Sequence, residues 1–394
     1  MVCKVRRSSP SIEAEIMQSK LPHTGMSIFS VMSSMAVKHD AINLSQGFPD
    51  FPTDPELVEL VAEAMRSGYN QYAPLAGIFS LRETICEMVQ NQHQRIYNPE
   101  TEVTLTVGAS EALYTAITAF VNRGDEVVVL KPAYDTYEPT ILLQGGIPVP
   151  VQLDAPYDHV NWQKVKEAIT DKTRMIIINT PHNPSGMMFS RQDMLELEKL
   201  VKGTDILILS DEVYEHIAFD SREHESVARF PALAERALIT ASFGKTFHTT
   251  GWKMGYCLAP KELMAEFQKI HQLTVFCVHH PTQRALATYL TNPDTYLHLG
   301  EFYQKKRDKF LSFIGGSRFQ FTPAQGTYFQ LLNYSAITDE NDVDFAERLT
   351  KDKGIASIPV SVFNVNNQDD KLLRFCFAKS DETLEKAAEI LNSI

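Results

Sequence analysis

Lys245 stands out in this chain for its surroundings. It closes the run Ser242-Phe243-Gly244-Lys245, and Gly251-Trp252-Lys253-Met254-Gly255 follows shortly after. Upstream, Ser210-Asp211-Glu212-Val213-Tyr214 ends another apolar run with a carboxylate and a phenol. Together these residue types suit an aromatic phosphate cofactor held through a covalent imine. The lysine supplies the amine, Asp211 a partner for a ring nitrogen, and Tyr214 a donor to a ring oxygen. Ser242 and Lys253 suit the phosphate. An ordinary lysine, with a pKa of about 10.4, is a poor nucleophile near neutrality. Burial or a neighbouring cation such as Lys253 lowers that value. The freed amine is then also a general acid/base. A single lysine in a loop is normally a solvated surface residue, and the surrounding cluster reverses that expectation.

Other polar clusters end apolar runs in the same way. Asn179-Thr180-Pro181-His182-Asn183-Pro184 follows one, and Lys131-Pro132-Ala133-Tyr134 another. Val107-Gly108-Ala109-Ser110-Glu111-Ala112-Leu113 reads as a strand end, small residues, then a helix. The free N–H groups of such a helix start bind phosphate. Arg374 stands inside Leu372-Leu373-Arg374-Phe375-Cys376-Phe377. An arginine in an apolar strand needs a partner, and its planar fork matches a carboxylate. Each residue also has a plainer use. Asp211 suits a helix N-cap, Asn183 a turn before Pro184, and Tyr134 an aromatic packed near a strand end. A structural Asp or Glu would satisfy Arg374.

The elements that position these residues alternate in kind. Val127-Val128-Val129-Leu130, Met175-Ile176-Ile177-Ile178, Ile206-Leu207-Ile208-Leu209 and Ala237-Leu238-Ile239 are short apolar runs bounded by polar or turn residues. They predict strands covered on both faces, hence a mostly parallel sheet. Met194-Leu195-Leu197-Leu200-Val201 has helical spacing, as does Leu57-Leu60-Val61-Ala64-Met65 after Asp54-Pro55. Strand alternating with helix means α/β. In such sheets ligands collect at the carboxyl ends of the strands, where the polar clusters fall. The last hundred or so residues differ. Amphipathic stretches at Tyr303–Phe313, Asp342–Leu349 and Asp381–Leu391 surround short strands such as Gly326-Thr327-Tyr328-Phe329, predicting a smaller α+β domain.

Composition narrows the function classes. The chain has 394 residues, is 44% hydrophobic and 22% charged, and carries a net charge of −12. That is ordinary soluble material, with no basic run for nucleic acid and no apolar stretch that spans a membrane. Cys3, Cys86, Cys257, Cys277 and Cys376 are odd in number and scattered, which fits a reducing, cytoplasmic compartment rather than a disulfide framework. Met1–Arg7 is basic but no apolar core follows, so the N-terminus reads as a disordered tail, with an organelle-targeting remnant as the alternative, rather than a secretory signal. His279-His280 lacks further ligands for a metal, so none is expected. These two, with His182 and His248, read as satisfied or solvated histidines.

From about Ser19 to the C-terminus, these motifs in this order resemble the class I/II aminotransferases, pyridoxal 5'-phosphate (PLP) enzymes of fold type I. The likeness is greatest to the bacterial methionine aminotransferases and the kynurenine aminotransferase/glutamine transaminase K group. It implies an aspartate aminotransferase-like fold, with a large PLP-binding domain at 45–290 and a small discontinuous domain from 1–44 and 291–394. It implies a Lys245-bound PLP, held also by Gly108, Ala109, Ser110, Asn183, Asp211, Tyr214, Ser242 and Lys253, with Tyr134 stacked on the ring. Many relatives have arginine where Lys253 stands, but this subgroup commonly has lysine, a point charge in place of a fork. Tyr72, in Asn70-Gln71-Tyr72-Ala73-Pro74, matches a tyrosine that reaches the neighbouring subunit's phosphate, which implies a homodimer with shared sites. Gly47, in Ser45-Gln46-Gly47-Phe48-Pro49-Asp50, matches a loop over the substrate carboxylate, and Asn183 and Arg374 match the groups that bind it. Tyr134, Phe29 and residues near Phe276 suit an apolar side-chain pocket. No second arginine is assignable to a side-chain carboxylate, which disfavours an aspartate-specialised enzyme.

The reaction implied moves an amino group from an apolar or aromatic amino acid, or glutamine, to a 2-oxo acid. A carbon–sulfur β-lyase of the same fold is the alternative, because the cofactor motifs are common to both. Gly244-Lys245-Thr246 imitates the end of a nucleotide-binding P-loop, but position 239, where that loop needs glycine, is isoleucine. A catalytically dead homologue would be expected to lose Lys245 or Arg374, and both are present.

Overall fold

The computed structural model describes residues 19–22 and 24–394. The basic N-terminal segment, with Cys3, lies outside the described residues. In chain order the strands are β1 (Ile42–Asn43), β2 (Val103–Val107), β3 (Glu126–Lys131), β4 (Ile147–Gln152), β5 (Thr173–Asn179) and β6 (Leu207–Asp211). There follow β7 (Ala237–Ser242), β8 (Met254–Leu258), β9 (Phe329–Asn333), β10 (Ile355–Ala356), β11 (Ile358–Pro359) and β12 (Leu372–Cys376). Seven of them form one sheet in the order β2-β8-β7-β6-β5-β3-β4. Only β8 runs against its neighbours. The sheet is therefore mostly parallel, as the apolar runs predict. Because β8 reverses direction twice over, β2 again points the same way as β7, and its end at Val107 lies along the same edge as Lys131, Asn179, Asp211 and Ser242.

Side chains of successive strand residues face opposite ways, and both faces of this sheet are covered. Val128, Ile176, Ile178, Ile208 and Ile239 enter one hydrophobic cluster. Their neighbours Val127, Val129, Met175, Ile177, Leu209 and Leu238 enter another, beneath the helix Gly108–Phe120. That double burial is why the strands read as unbroken apolar runs.

Local signals hold the helices. Asp54 accepts from the Glu56 N–H at 2.8 Å with Pro55 in the first turn of the helix Pro55–Arg66. Ser190 and Asp193 form a capping box on the helix Arg191–Val201.

A second packing unit surrounds the antiparallel sheet β11-β12-β9. Its core includes Leu332, Phe345, Leu373, Phe375 and Leu384, and also takes in Met32 and Leu44 from near the start of the chain. β1 pairs in parallel with β10, which ties that early segment to the C-terminal part. One expectation shifts: Gly326–Tyr328 is not strand, and β9 starts only at Phe329. Thr327 sits at φ 66°, in the left-handed region that breaks an extended run. Among the described residues no helix is long and apolar enough to cross a membrane.

Candidate active site

The strand edge and the second packing unit enclose a cleft of ≈ 320 Å³. Gly108, Ala109 and Ser110, Tyr134, Asn183, Asp211 and Tyr214 line it from the sheet side, with Ser242, Lys245 and Lys253. Gly47 and Arg374 line it from the other. Tyr72 lies elsewhere on this chain. It is 81% exposed, its ring 5.4 Å from that of Phe276, in a surface hollow with Cys277, His279 and His280. Phe29 borders the cleft and Phe276 does not.

Lys245 sits on the single-turn helix Phe243–Thr246, directly after β7. Its Nζ donates to the Gly47 carbonyl at 3.5 Å and lies 5.7 Å and 5.8 Å from the rings of Tyr214 and Tyr328. Burial brings the ammonium down to about 8, with the Arg374 and Lys253 charges acting in the same direction and Cys376 and Asp211 opposing. A fraction of the amine is therefore unprotonated near neutral pH, as a nucleophile or base requires.

Asp211 ends β6 and is buried. Burial pushes its carboxyl up to about 6, and the Tyr137 hydroxyl, donating to Oδ2 at 2.6 Å, is the largest influence holding it down. At neutral pH it is a carboxylate aimed into the cleft. Its plainer reading as a helix cap fails, because a turn and not a helix follows; Oδ1 accepts from the Val213 N–H at 3.4 Å within that turn.

A chain of amides joins this end of the cleft to Arg374. Asn179 Nδ2 donates to the Asp211 carbonyl at 2.8 Å, and its Oδ1 accepts from the Asn183 N–H at 2.8 Å. Asn183 Oδ1 accepts from Arg374 at 2.7 Å, and the Ser45 carbonyl accepts from the same guanidinium at 2.9 Å. Phe329 and Phe29 lie 3.8 Å and 5.0 Å from the guanidinium carbon. Arg374 is 1% exposed, its Nε has no hydrogen-bond partner, and no carboxylate among the described residues pairs with it. Burial lowers it to about 10. The structural Asp or Glu that would have explained this arginine is missing among the described residues, so a buried cation faces a cavity with only neutral oxygens on it.

The far end of the cleft suits an anion. The helix Gly108–Phe120 has no side-chain cap at its start, so its first N–H groups are free. Gly108 lies at φ +67°, and a Cβ there would sit 3.4 Å from Lys253 Nζ. A Cβ on Gly255 would come within 2.5 Å of the Ala241 carbonyl and 3.0 Å of the Ala109 nitrogen. Two glycines thus let β8 and the helix start approach closely and bring the ammonium to the helix end.

The histidines divide. His182 is satisfied: Nε2 faces the Pro132 carbonyl at 3.1 Å and Nδ1 the Ser185 hydroxyl at 2.8 Å. Burial takes it down to about 4. His279 Nδ1 contacts the Thr282 hydroxyl, and His280 contacts the Gln71 carbonyl through Nδ1 and accepts from Arg284 Nε at Nε2. His248 differs from expectation, because its buried Nε2 has no partner among Phe51, Phe302 and Tyr303. Sequence reasoning missed Tyr137, Asn179 and Phe329 as part of the site. Only Tyr137 had a local signal: it opens the helix Tyr137–Leu143 just after Tyr134.

An open α/β sheet with a lysine amine, a buried carboxylate and an anion cradle at one edge, facing an unpaired arginine across the cleft, defines an enzyme site for a small charged ligand. The aminotransferase class I and II family model matches residues 39–391, and the chain belongs to that family. It is 46% identical over 380 residues to a methionine aminotransferase from Escherichia coli, covering 96% of this chain and 98% of that one. It is 34% identical over 407 residues to a kynurenine–oxoglutarate transaminase from Dictyostelium discoideum, covering 93% and 94%. The solved structure of an E. coli protein with methionine aminotransferase function superposes with a TM-score of 0.94 over 96% of this chain and 100% of that one, at 46% identity. The fold is the aspartate aminotransferase-like fold expected from the motifs.

Proposed function

We propose that this aminotransferase moves the amino group of an apolar or aromatic amino acid, of the methionine, phenylalanine, tyrosine, glutamine or kynurenine class, to a 2-oxo acid through PLP on Lys245. The observation that carries the reading is Arg374: a buried, unpaired fork in the same cleft as a buried amine held at about 8. An α-amino acid presents a carboxylate to the first and its α-carbon to the second.

The cleft fits PLP. The uncapped helix start with Lys253 suits the phosphate, Ser242 adds a hydroxyl, and Asp211 suits the ring nitrogen. Tyr214 and the free Nδ2 of Asn183 suit the ring oxygen, and Tyr134 a ring face. When bound, PLP supplies an aldehyde for the amine and a ring that withdraws electrons. Asp211, ionised at neutral pH, would hold a proton on the cofactor's ring nitrogen. Arg374 and Asn183 orient the substrate carboxylate. Lys245 Nζ, once released, would take the proton from the substrate α-carbon and hold it for return. Phe29, Tyr134 and Phe48 give the side-chain end an apolar border, which supports the substrate class together with the two relatives above.

We also assign a homodimer in which Tyr72 serves the partner's site, which the exposure of that ring in this chain supports. We place the large domain at 45–290 and the small one at 1–44 and 291–394, and the protein in the cytoplasm.

A panel of amino donors and 2-oxo acids, followed at the cofactor's absorption band, tests the function. Borohydride reduction and peptide mapping locate the label. Turnover with dicarboxylic donors only, or a label on another lysine, overturns the reading. Ammonia release instead of amino transfer would establish the carbon–sulfur lyase alternative, which uses the same residues. Inactive Lys245→Ala and Tyr72→Phe subunits, mixed and exchanged, should regain activity in one hybrid site. No recovery after verified exchange removes the shared-site dimer.

A further inference from the structure

Glu111 lies in the first turn of the helix Gly108–Phe120, three residues beyond Gly108 and buried. A carboxylate there favours the helix dipole, but it also competes with any anion at that helix start. Oε2 accepts from the Val107 N–H at 3.2 Å and Oε1 from the Thr115 hydroxyl at 2.6 Å. The third contact is His271, fully buried on the helix Lys261–Thr274. His271 Nδ1 is 3.0 Å from Glu111 Oε1 and Nε2 is 3.2 Å from the Leu75 carbonyl. With Glu111 as the carboxylate, neither oxygen has a hydrogen to give and both ring nitrogens donate. An imidazole with two N–H groups is the cation. The remaining neighbours add no charge: Phe267 stacks 6.3 Å away, and burial keeps the Cys257 thiol protonated well above its ordinary range. Leu75 closes the segment that carries Tyr72.

We propose that His271 is a positioning residue for the phosphate end of the cleft: as an imidazolium it cancels the Glu111 charge inside the phosphate-facing helix turn and ties that turn to the Tyr72 segment. The inference rests on the PLP reading above. Without the cation, an uncompensated carboxylate would stand one turn from the bound phosphate, and a ligand with a phosphate would be penalised where one without it is not.

The test compares two ligands. Full-length protein freed of cofactor is titrated with PLP and with pyridoxal, which lacks the phosphate, and the imine absorbance gives each dissociation constant. His271→Gln should weaken PLP by about tenfold or more and leave pyridoxal within about twofold. Glu111→Gln should bind PLP at least as tightly as wild type, although it breaks the same contacts. The double variant should recover most of the loss. An equal loss for both ligands, or a Glu111→Gln protein as impaired as His271→Gln, reduces the pair to a packing contact and overturns the proposal. Glu111→Gln keeps the test decisive even if His271→Gln folds poorly. Wild-type protein that takes up pyridoxal but gains nothing from the phosphate would overturn the phosphate-end assignment itself. Failure to bind either ligand would overturn the PLP reading and this proposal with it.

Discussion

Arg307 and Arg374 are the same residue type at nearly the same burial, 3% and 1% exposed, and they are treated in opposite ways. Arg307 donates to both oxygens of Asp220 at 2.8 Å and 2.7 Å, to Asp308 at 2.8 Å and to the Ala324 carbonyl at 2.7 Å. Burial alone would lower its pKa, but the Asp220 and Asp308 bonds raise it. Arg374 has two neutral oxygens, an unsatisfied Nε and a pKa lowered to about 10. A buried charge whose partner is built into the chain serves the fold. One left unpaired at a cavity costs the fold and is retained for a partner that arrives from outside.

The sharpest way to break that contrast is to remove each charge without opening a hole. Arg374→Met should lower kcat/KM by about 3–5 kcal/mol, or two to four powers of ten, because the substrate carboxylate loses its only cation. Its Tm should stay level or rise, since an uncompensated charge has left the interior. Arg307→Met should do the reverse. It removes the partner of two half-exposed carboxylates and strands the Ala324 carbonyl, and should lower unfolding stability by about 1.5–3 kcal/mol while the folded enzyme keeps its kcat/KM. Urea melts and initial rates on both variants decide it. A destabilised Arg374→Met with modest kinetic loss would make Arg374 a second structural arginine.

A finer cut keeps the charge and changes its shape. Arg374→Lys loses the fork and should lower kcat/KM by about one to two powers of ten, or 1.5–3 kcal/mol. The loss should be equal for methionine, phenylalanine and glutamine, which share the α-carboxylate. A loss confined to one donor moves Arg374 to the side-chain pocket.

The two arginines also show what a sequence discloses. Arg374 could be picked out because it interrupts an apolar strand. Arg307 lies on the amphipathic helix Leu299–Ile314, where its burial under Asp220, from far earlier in the chain, leaves no local trace. The same holds within the cleft. Residues at the ends of apolar runs were legible because a parallel sheet delivers strand ends to one edge. Asn179 sits among them but only its hydrogen bonds to Asp211 and Asn183 reveal its place, and Tyr137 and His271 meet their carboxylates only after folding. Only the end of β2, at Val107, was read as strand, because Val103-Thr104-Leu105-Thr106-Val107 is not an unbroken apolar run, and β8 was not read because Met254–Leu258 contains Gly255, where a side chain would strike the Ala241 carbonyl.

The smallest expected effect extends the comparison to a third charge. If unpaired cations in the cleft cost the fold, Lys245 should behave as Arg374 does, and its titration makes the cost visible. Its pKa is about 8 in the folded protein against an ordinary 10.5. Between those values the unfolded chain holds a proton that the folded chain has lost, so stability rises with pH across that window. Below about 8 the folded protein carries the full cost of a buried ammonium, and above 10.5 neither state carries a charge and the cost is gone. Lys245→Met, similar in length and neutral throughout, lacks this dependence. Cofactor-free Lys245→Met should therefore exceed cofactor-free wild type in stability below pH 8, with the gap closing toward pH 10.5. Because Lys245 lines a cleft that admits solvent and is opposed by Asp211, the gap should be on the order of 1–2 kcal/mol. Denaturant melts of the two proteins at matched pH measure it. A gap that stays constant across the window would mean that the ammonium is not strained in the fold, and would separate Lys245 from Arg374.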